Sequence, residues 1–135
     1  MSTEMAVASV SGLLMAKTFS DARPQLPFQQ DIFLLETHVA GLQYHQARAA
    51  LKGLKESAPL KLRRETKNEH DALAIGIFTG DGQKLGYVPR HRNPVLARLM
   101  DAGKTLIASV KRIDAESRYV VDGIPEIRLD ISLRE

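Results

Sequence analysis

Residues 127–134 read Ile-Arg-Leu-Asp-Ile-Ser-Leu-Arg, and the pattern of this stretch decides the fold. Apolar and polar residues alternate over four periods of two, which is the spacing of side chains along a β-strand. One face of such a strand points to a core and the other to water. The stretch therefore predicts a half-buried strand, and a strand of this kind requires others to pair with.

Strand patterns recur upstream of this stretch. The segment 72–79 is almost wholly apolar, which indicates a buried strand. The sequence Gly80-Asp81-Gly82 follows it and predicts a hairpin turn, because glycine adopts positive φ without strain. Strands are predicted at 32–39, 59–65, 72–79, 83–88, 105–113 and 118–122.

Two helices are predicted between these strands. Apolar residues from Ala47 to Leu54 recur at helical spacing, which predicts an amphipathic helix of about three turns that ends before Pro59. Asn93 and Pro94 predict the start of a second helix, with the asparagine as N-cap and the proline in the first helical position. Gly103 is expected to end that helix.

The order of these elements predicts the fold class. Short connections join most strands, and the helices fall in separate places, so we expect a mainly β, α+β protein. The expected architecture is a small antiparallel barrel of about six strands with two short helices. No glycine-rich phosphate motif follows a predicted strand, which argues against a nucleotide-binding α/β fold.

The chain has 135 residues, the size of one domain with about thirty residues to spare. Residues 5–16 are mostly apolar but are too few to span a bilayer, and only Glu4 carries a charge before them, unlike a secretory signal. Pro24 and Pro27 indicate a linker. We therefore expect a loose or weakly helical tail over 1–30 and a domain over 31–135.

The charge is unevenly distributed along the chain. The net charge is +3, yet the segment 61–104 holds nine lysines and arginines against five acidic residues, a balance of +4. A basic segment favours an acidic partner such as nucleic acid, although a solvated surface has the same composition. The absence of cysteine excludes disulfides, a cysteine-based zinc site and thiol chemistry, and it fits a small intracellular binding domain. We expect a cytoplasmic protein that does not bind membranes.

No catalytic motif stands out in the sequence. The four histidines form no HxH or HExxH pair, and no serine lies in a nucleophile elbow. Glu65, Glu69, His70 and Asp71 would suit a metal-dependent hydrolase, but Arg63, Arg64 and Lys67 offer the carboxylates simpler partners. We therefore expect no enzyme activity, no cofactor and no metal, with a hydrolase as the less favoured alternative.

Three stretches break the simple strand or helix pattern. In 39–45 a glycine and Tyr44 come between a strand and a helix. In 62–75 a polar loop with asparagine and aspartate meets a buried strand, and in 84–90 an aromatic flanked by glycine is followed by a cation. Together and in this order they resemble the HIRAN domain, on Val39, Gly41, Tyr44, Leu62, Arg64, Glu65, Asn68, His70, Asp71, Ala74, Ile75, Gly86, Tyr87, Val88, Pro89 and Arg90.

The resemblance covers about residues 32–115 and implies both a fold and a role. The implied fold is an OB-like β-barrel with two helices. The implied role, for a stand-alone protein of bacterial type, is a non-catalytic module that captures single-stranded DNA at a free 3′-hydroxyl end in DNA repair or replication-fork processing. A separate helicase or nuclease is the implied enzymatic partner, and nothing in the sequence indicates the oligomeric state.

The resemblance also implies the residues of the 3′-end pocket. Tyr44 would stack on a base, Asp71 would accept a hydrogen bond from the 3′-hydroxyl, and Arg90 would pair with a phosphate. His70 would stack or donate, Tyr87 would line the pocket, Lys84 or Arg92 would assist Arg90, and Gln43 would lie beside the ligand.

Three residues depart from the pattern of the family. Gln43 stands where a basic or aromatic residue is frequent, His45 replaces a second aromatic, and Glu69 replaces the proline of the loop. Each change is expected to weaken the affinity for nucleic acid. The alternative function is therefore an adaptor domain of the same fold that binds an acidic protein through the basic segment.

Overall fold

A computed structural model describes residues 30–42, 47–120 and 123–135. The described part contains six strands and two helices. The predicted tail, apart from Gln30, lies outside it, so the division into tail and domain stays a prediction. The elements are β1 (Asp31–His38), α1 (Ala47–Leu51), β2 (Pro59–Arg64), β3 (Ile75–Thr79), β4 (Lys84–Tyr87), α2 (Asn93–Asp101), β5 (Thr105–Asp114) and β6 (Glu126–Arg134).

The strands form one antiparallel sheet in the order β1-β6-β5-β2-β3-β4. This arrangement confirms the predicted mainly β fold with two short helices. The sheet does not close along a full ladder, because β1 and β4 stand at its two edges. Within the described residues, one isolated bridge joins these edges: Ala40 and Tyr87 exchange two backbone hydrogen bonds of 2.8 Å each.

The alternation in 127–134 places β6 as predicted. Ile127, Leu129 and Ile131 are completely buried, whereas Arg128 on the other face forms an ion pair with Glu36 at 2.9 Å. β6 pairs with β1 on one side and with β5 on the other. The strand is thus part of the core, as its pattern of apolar residues requires.

The first helix ends earlier than predicted. The prediction that it continues toward Pro59 is wrong, since α1 ends at Leu51. Gly53 has a φ of +82°, and the backbone N–H of Leu54 bonds to the carbonyl of Leu51 at 3.1 Å, so the chain turns there. Leu54 still packs against the core, but it does so from this turn and not from the helix.

The start of α2 also differs from its prediction. Arg92, not Asn93, is the N-cap residue, and no side chain caps the helix. Asn93 is the first residue of α2 and is only 2% exposed. Its side-chain amide donates to the Asp71 carboxylate and does not cap the helix. Pro94 lies in the first turn, but at the second helical position and not the first, because Asn93 already belongs to the helix. Gly103, with a φ of +90°, follows the helix and confirms its predicted end.

Two strand predictions also need correction. β3 begins at Ile75 instead of Ala72, because residues 71–74 form a turn in which the N–H of Ala74 bonds to the carbonyl of Asp71 at 3.1 Å. Residues 118–120 are not a strand: the N–H of Val120 bonds to the carbonyl of Ser117 at 3.1 Å. The end of that predicted strand, 121–122, lies outside the described residues. No helix among the residues described is long and apolar enough to cross a membrane.

Candidate functional site

Four of the predicted site residues meet at one cavity of about 610 Å³. The cavity lies where the end of β4, the loop between β2 and β3 and the start of α2 converge. Sequence reasoning from the resemblance selected four of its lining residues, and local patterns did not indicate that Asn93 also reaches it. The described residues that line it are Gly41, Asn68, His70, Asp71, Ala74, Tyr87, Val88, Arg90 and Asn93.

Asn68 shapes the loop that carries Asp71. Its side-chain oxygen accepts hydrogen bonds from the backbone N–H groups of His70 at 2.8 Å and Asp71 at 3.0 Å. Its amide group donates to the Glu65 carboxylate at 3.2 Å. Asparagine favours such turns because its side chain satisfies nearby backbone donors. These bonds fix where Asp71 enters the cavity.

The Asp71 carboxylate is held in its ionised form. One oxygen accepts the backbone N–H of Leu73 at 2.9 Å, and the other accepts the side-chain amide of Asn93 at 2.8 Å. The hydrogen bond from Leu73, followed by those from Asn93 and Arg90, holds the pKa of Asp71 below its ordinary value, because these donors favour the charged form. Asp71 is thus a hydrogen-bond acceptor at neutral pH.

Arg90 places an exposed positive charge beside this carboxylate. Its side chain is 72% exposed, and its Nε lies 3.5 Å from Asp71 Oδ2. The guanidinium also donates to the backbone carbonyl of His70, a residue that is itself exposed. The cavity therefore combines a fixed acceptor with an exposed donor of opposite charge.

Lys84 lies behind Tyr87 and does not line the cavity. Its ammonium group donates to Glu65 Oε2 at 2.5 Å and to the Tyr87 hydroxyl at 2.6 Å, while that hydroxyl donates to Glu65 Oε1 at 2.8 Å. Burial alone would raise the pKa of Glu65, but the bonds from Lys84, Tyr87 and Asn68 outweigh it and lower that pKa. Burial also opposes the charge of Lys84, yet its bond to Glu65 raises the pKa of the ammonium. These contacts orient the ring of Tyr87.

Arg64 ties the loop to α2, a role that the sequence did not indicate. Its guanidinium makes a two-pronged contact with Asp101 at 2.9 and 3.1 Å. It also donates to the carbonyls of Ala74 at 2.7 Å and Ala72 at 3.0 Å. A planar guanidinium with five donors can do this, whereas an ammonium cannot.

The other predicted residues are placed as follows. Gln43 and Tyr44, like His45, lie outside the described residues. Arg92 is exposed at the N-cap of α2, two positions after Arg90, and is not among the residues lining the cavity. In the parts of the chain described, no group of three histidines or acidic residues is arranged to hold a metal ion, so Glu65, Glu69, His70 and Asp71 do not form such a cluster.

A second cavity of about 380 Å³ lies at the other side of the segment 38–42. Its polar residues include Glu126 and Arg128, which form an ion pair with each other at 3.4 Å. Burial lowers the pKa of His38 at its rim, against the opposing charge of Glu126. Among the described residues, none that is predicted to bind nucleic acid lines this cavity.

The open antiparallel sheet with two helices, and a cavity beside β4 whose mostly apolar lining carries a few polar side chains, define an OB-like β domain with a surface site. The sequence model of the HIRAN domain matches residues 32–127, so the chain belongs to the HIRAN domain family. This confirms the family that the three sequence stretches suggested. No curated protein matches the chain significantly.

Solved structures share this fold. The crystal structure of a protein from Lactobacillus plantarum is 29% identical with a TM-score of 0.65, and the match covers 78% of this chain and 99% of that chain. The crystal structure of the HIRAN domain of human HLTF is 19% identical with a TM-score of 0.58, covering 76% and 78%. The NMR structure of that HLTF domain in its DNA-bound conformation is 19% identical with a TM-score of 0.52, and the match covers 76% of this chain and 77% of that chain.

Proposed function

We propose that this protein is a non-catalytic module that captures single-stranded DNA at a free 3′-hydroxyl end. The observation that carries the proposal is the ionised Asp71 fixed by two donors beside the exposed Arg90 in an open cavity. The HIRAN domain of human HLTF has been solved in a DNA-bound conformation, which supports DNA as the ligand class.

The chemistry of the cavity supports selection for a hydroxyl. A 3′-hydroxyl can donate a hydrogen bond to the Asp71 carboxylate, whereas a 3′-phosphate brings a second negative charge to the same place and is repelled. Arg90 can leave its contact with the His70 carbonyl to pair with the adjacent backbone phosphate. In this proposal Asp71 recognises the 3′-hydroxyl, and Arg90 beside it in the cavity binds the phosphate backbone.

The remaining predicted residues complete the pocket in this proposal. Tyr87, held by Glu65 and Lys84, offers its ring to the terminal sugar or base, and Tyr44 stacks on the base. His70 and Gln43 donate to the ligand, and Arg92 adds positive charge near Arg90. Lys84 acts through Tyr87 instead of contacting phosphate, because its ammonium is already bound to Glu65.

The biological role follows from end capture as a further proposal. A module that binds a free 3′ end without cleaving it would serve DNA repair or processing of replication forks, with a separate helicase or nuclease doing the chemistry.

Fluorescence anisotropy tests the proposal with two oligonucleotides that differ only in a 3′-hydroxyl or a 3′-phosphate. We expect the wild type to bind the hydroxyl end more tightly, and Asp71→Asn to lose the preference because the carboxylate no longer repels phosphate. Glu116→Gln, at an exposed position in the turn after β5, is the charge-matched control and should retain it. Equal wild-type affinity for both ends would contradict end capture.

Salt dependence separates DNA binding from the adaptor alternative. Binding by a few cations gives a slope of about −0.7 in log affinity against log salt for each neutralised phosphate. We expect a shallow slope, as for one or two neutralised phosphates, and measurable affinity at low salt. If no oligonucleotide binds at low salt, the adaptor function is the better explanation, and Arg90 and Arg92 become candidates for contacts with an acidic protein.

A further inference from the structure

Cations and aromatic rings alternate across the outer face of β2, β3 and β4. The ammonium of Lys84 lies 4.1 Å from the centre of the Tyr87 ring and 5.7 Å from the centre of the Phe78 ring. The guanidinium carbon of Arg63 lies 4.6 Å from the centre of the Phe78 ring. The series runs without a break from Tyr87, which also lines the end cavity, to Arg63 on β2.

The strand register explains why these side chains share one face. Gly76 pairs with Tyr87, and Arg63 pairs with Gly76, so the three positions lie in one row across the strands. Phe78, two residues after Gly76, points to the same face and pairs with Lys61 and Lys84. We call the surface formed by Lys61, Arg63, Gly76, Phe78, Lys84 and Tyr87 the β2–β3–β4 face.

Gly76 leaves the space that this arrangement needs. A Cβ at this position would lie 2.8 Å from a carboxylate oxygen of Glu65 and 2.8 Å from Cε1 of Phe78. Both side chains therefore lie across the backbone of Gly76. Because Gly76 has no side chain, the Phe78 ring and the Glu65 carboxylate can pack directly against the backbone of the sheet. The Arg63 guanidinium then lies over the outer side of the Phe78 ring.

The charge of the β2–β3–β4 face is positive. Lys61 and Arg63 are exposed and carry this charge, whereas the charge of Lys84 is balanced by its ion pair with Glu65 at 2.5 Å. The nearby acidic residue Glu65 is bound to Lys84 and Tyr87. Exposed cations interleaved with aromatic rings suit single-stranded nucleic acid, because phosphates pair with the cations and bases stack on rings and on guanidinium planes.

We propose that the β2–β3–β4 face carries the single strand onward from the end cavity, so that the nucleotides 5′ to the captured end lie across Lys84, Phe78 and Arg63. This rests on the proposed capture of DNA ends, which it extends by a second contact surface and a strand path. Arg63 supports a base on its guanidinium, backed by Phe78, and Lys61 pairs with a phosphate. OB folds bind about 4–16 nucleotides of single strand, more than an end cavity alone would hold.

A length series tests this path by anisotropy on the full chain. A trinucleotide and a twelve-nucleotide strand, both with a free 3′-hydroxyl, are compared. We expect the longer strand to bind at least about fivefold more tightly, the effect of stacking one further base. Arg63→Ala should remove most of that gain while leaving the affinity for the trinucleotide unchanged. Equal affinity of the wild type for both lengths would overturn the strand path.

Matched variants keep the test independent of folding. Arg112→Ala removes an exposed arginine from β5 outside its pairing with β2, and it should keep the length gain. Arg63→Lys keeps the charge but not the planar guanidinium, so it should keep the salt slope and lose affinity for the long strand. Phe78→Leu should behave like Arg63→Lys, with thermal unfolding showing that the variant is folded. Loss of the length gain in Arg112→Ala to the same degree would contradict the assignment.

Circular single-stranded DNA distinguishes failure of this proposal from failure of end capture, because it has no ends. We expect the wild type to bind the circle weakly, Arg63→Ala to bind it at least about fivefold less tightly, and Asp71→Asn to bind it like the wild type. If the trinucleotide shows no preference for a 3′-hydroxyl but the circle binds through Arg63, end capture fails and the β2–β3–β4 face stands. If the trinucleotide shows the preference and the circle does not bind, the face is wrong and end capture stands.

Discussion

The side-chain amide of Asn93 donates a 2.8 Å hydrogen bond to the Asp71 carboxylate, and this bond links the first turn of α2 to the loop before β3. Asn93 is 2% exposed, so its amide has no competing contact with water. The residue that the sequence suggested as a helix cap is thus part of the candidate site. Its donor helps to set both the position and the charge of the acceptor proposed to read the DNA end.

Replacing Asn93 by leucine should weaken this acceptor. The variant keeps about the same shape but removes the donor, so the pKa of Asp71 should rise toward its ordinary value, only partway because the Leu73 N–H remains. Loss of a buried hydrogen bond to a charged group should reduce the free energy of unfolding by about 1.5–3 kcal/mol. NMR titration of the Asp71 carboxyl carbon and urea unfolding measure the two effects. Val95→Ala, at a 67% exposed position of the same helix, is the control, and an unchanged Asp71 titration would contradict the role of Asn93.

Protonation of Glu65 should lower the free energy of unfolding of the protein in acid. Because hydrogen bonds lower its pKa in the folded state despite burial, its contribution is present above the ordinary glutamate pKa of about 4.3 and is lost as the pH falls through the lower folded value. Glu65→Gln should therefore reduce the free energy of unfolding at pH 7 by about 1–3 kcal/mol, since Lys84 and Tyr87 lose their ionised partner.

The difference between wild type and Glu65→Gln should shrink progressively when urea unfolding is repeated at pH values below the ordinary glutamate pKa of about 4.3, because the Glu65 carboxylate is then increasingly protonated. Glu69→Gln, at an exposed position in the same loop, should change the free energy of unfolding by less than about 0.5 kcal/mol at every pH. A difference for Glu65→Gln that stays constant between pH 7 and pH 3 would show that the carboxylate charge is not what stabilises this cluster.

The elements that the sequence predicted well are those with a local signal. The alternation of Ile127, Leu129 and Ile131 with polar residues identified β6, and Gly103 identified the end of α2. Both signals depend on side chains within a few residues of each other, so no knowledge of the tertiary structure is needed.

The predictions that were wrong or incomplete depend on partners far along the chain. Asn93 has the sequence context of an N-cap, but its partner Asp71 is 22 residues away and lies close only in the folded protein. Lys84 is predicted to assist in binding phosphate, and this stays a prediction; the sequence did not indicate that it bonds to Glu65, 19 residues away. The site residues His70 and Arg90 came from the resemblance to the family, and the structure places both at one cavity with Asp71.

Gly86 is expected to be required for the bridge between the two edges of the sheet. A Cβ at Gly86 would overlap the backbone carbonyl of Ala40 and lie 2.8 Å from Cγ1 of Val39. Because backbone atoms cannot move aside without opening the bridge between Ala40 and Tyr87, Gly86→Ala should lower the free energy of unfolding by about 1–3 kcal/mol, the usual cost of overpacking.

Guanidinium unfolding measures this effect, with Gly80→Ala as the matched control. A Cβ at Gly80 would meet its nearest atom, the carbonyl oxygen of Pro59, only at 4.0 Å, so the free energy of unfolding should change little. If both alanine variants unfold at the wild-type denaturant concentration, the close approach of Gly86 to Ala40 does not restrain this edge of the sheet.

Arg64 is expected to hold the loop of the candidate site through the carbonyls of Ala72 and Ala74 more than through its ion pair with Asp101. Its side chain is 12% exposed, whereas that of Asp101 is 48% exposed, so water screens the pair but not the contact with the buried Ala74. Arg64→Lys keeps the charge but cannot reach both carbonyls and Asp101 together, and should cost about 1–3 kcal/mol of unfolding free energy. Asp101→Asn should cost less. The amides of Leu73 and Ala74 bond to Asp71, so their hydrogen exchange reports on the loop. Exchange should accelerate in Arg64→Lys and stay near the wild-type rate in Asp101→Asn. Equal acceleration in both variants would show that the ion pair holds the loop.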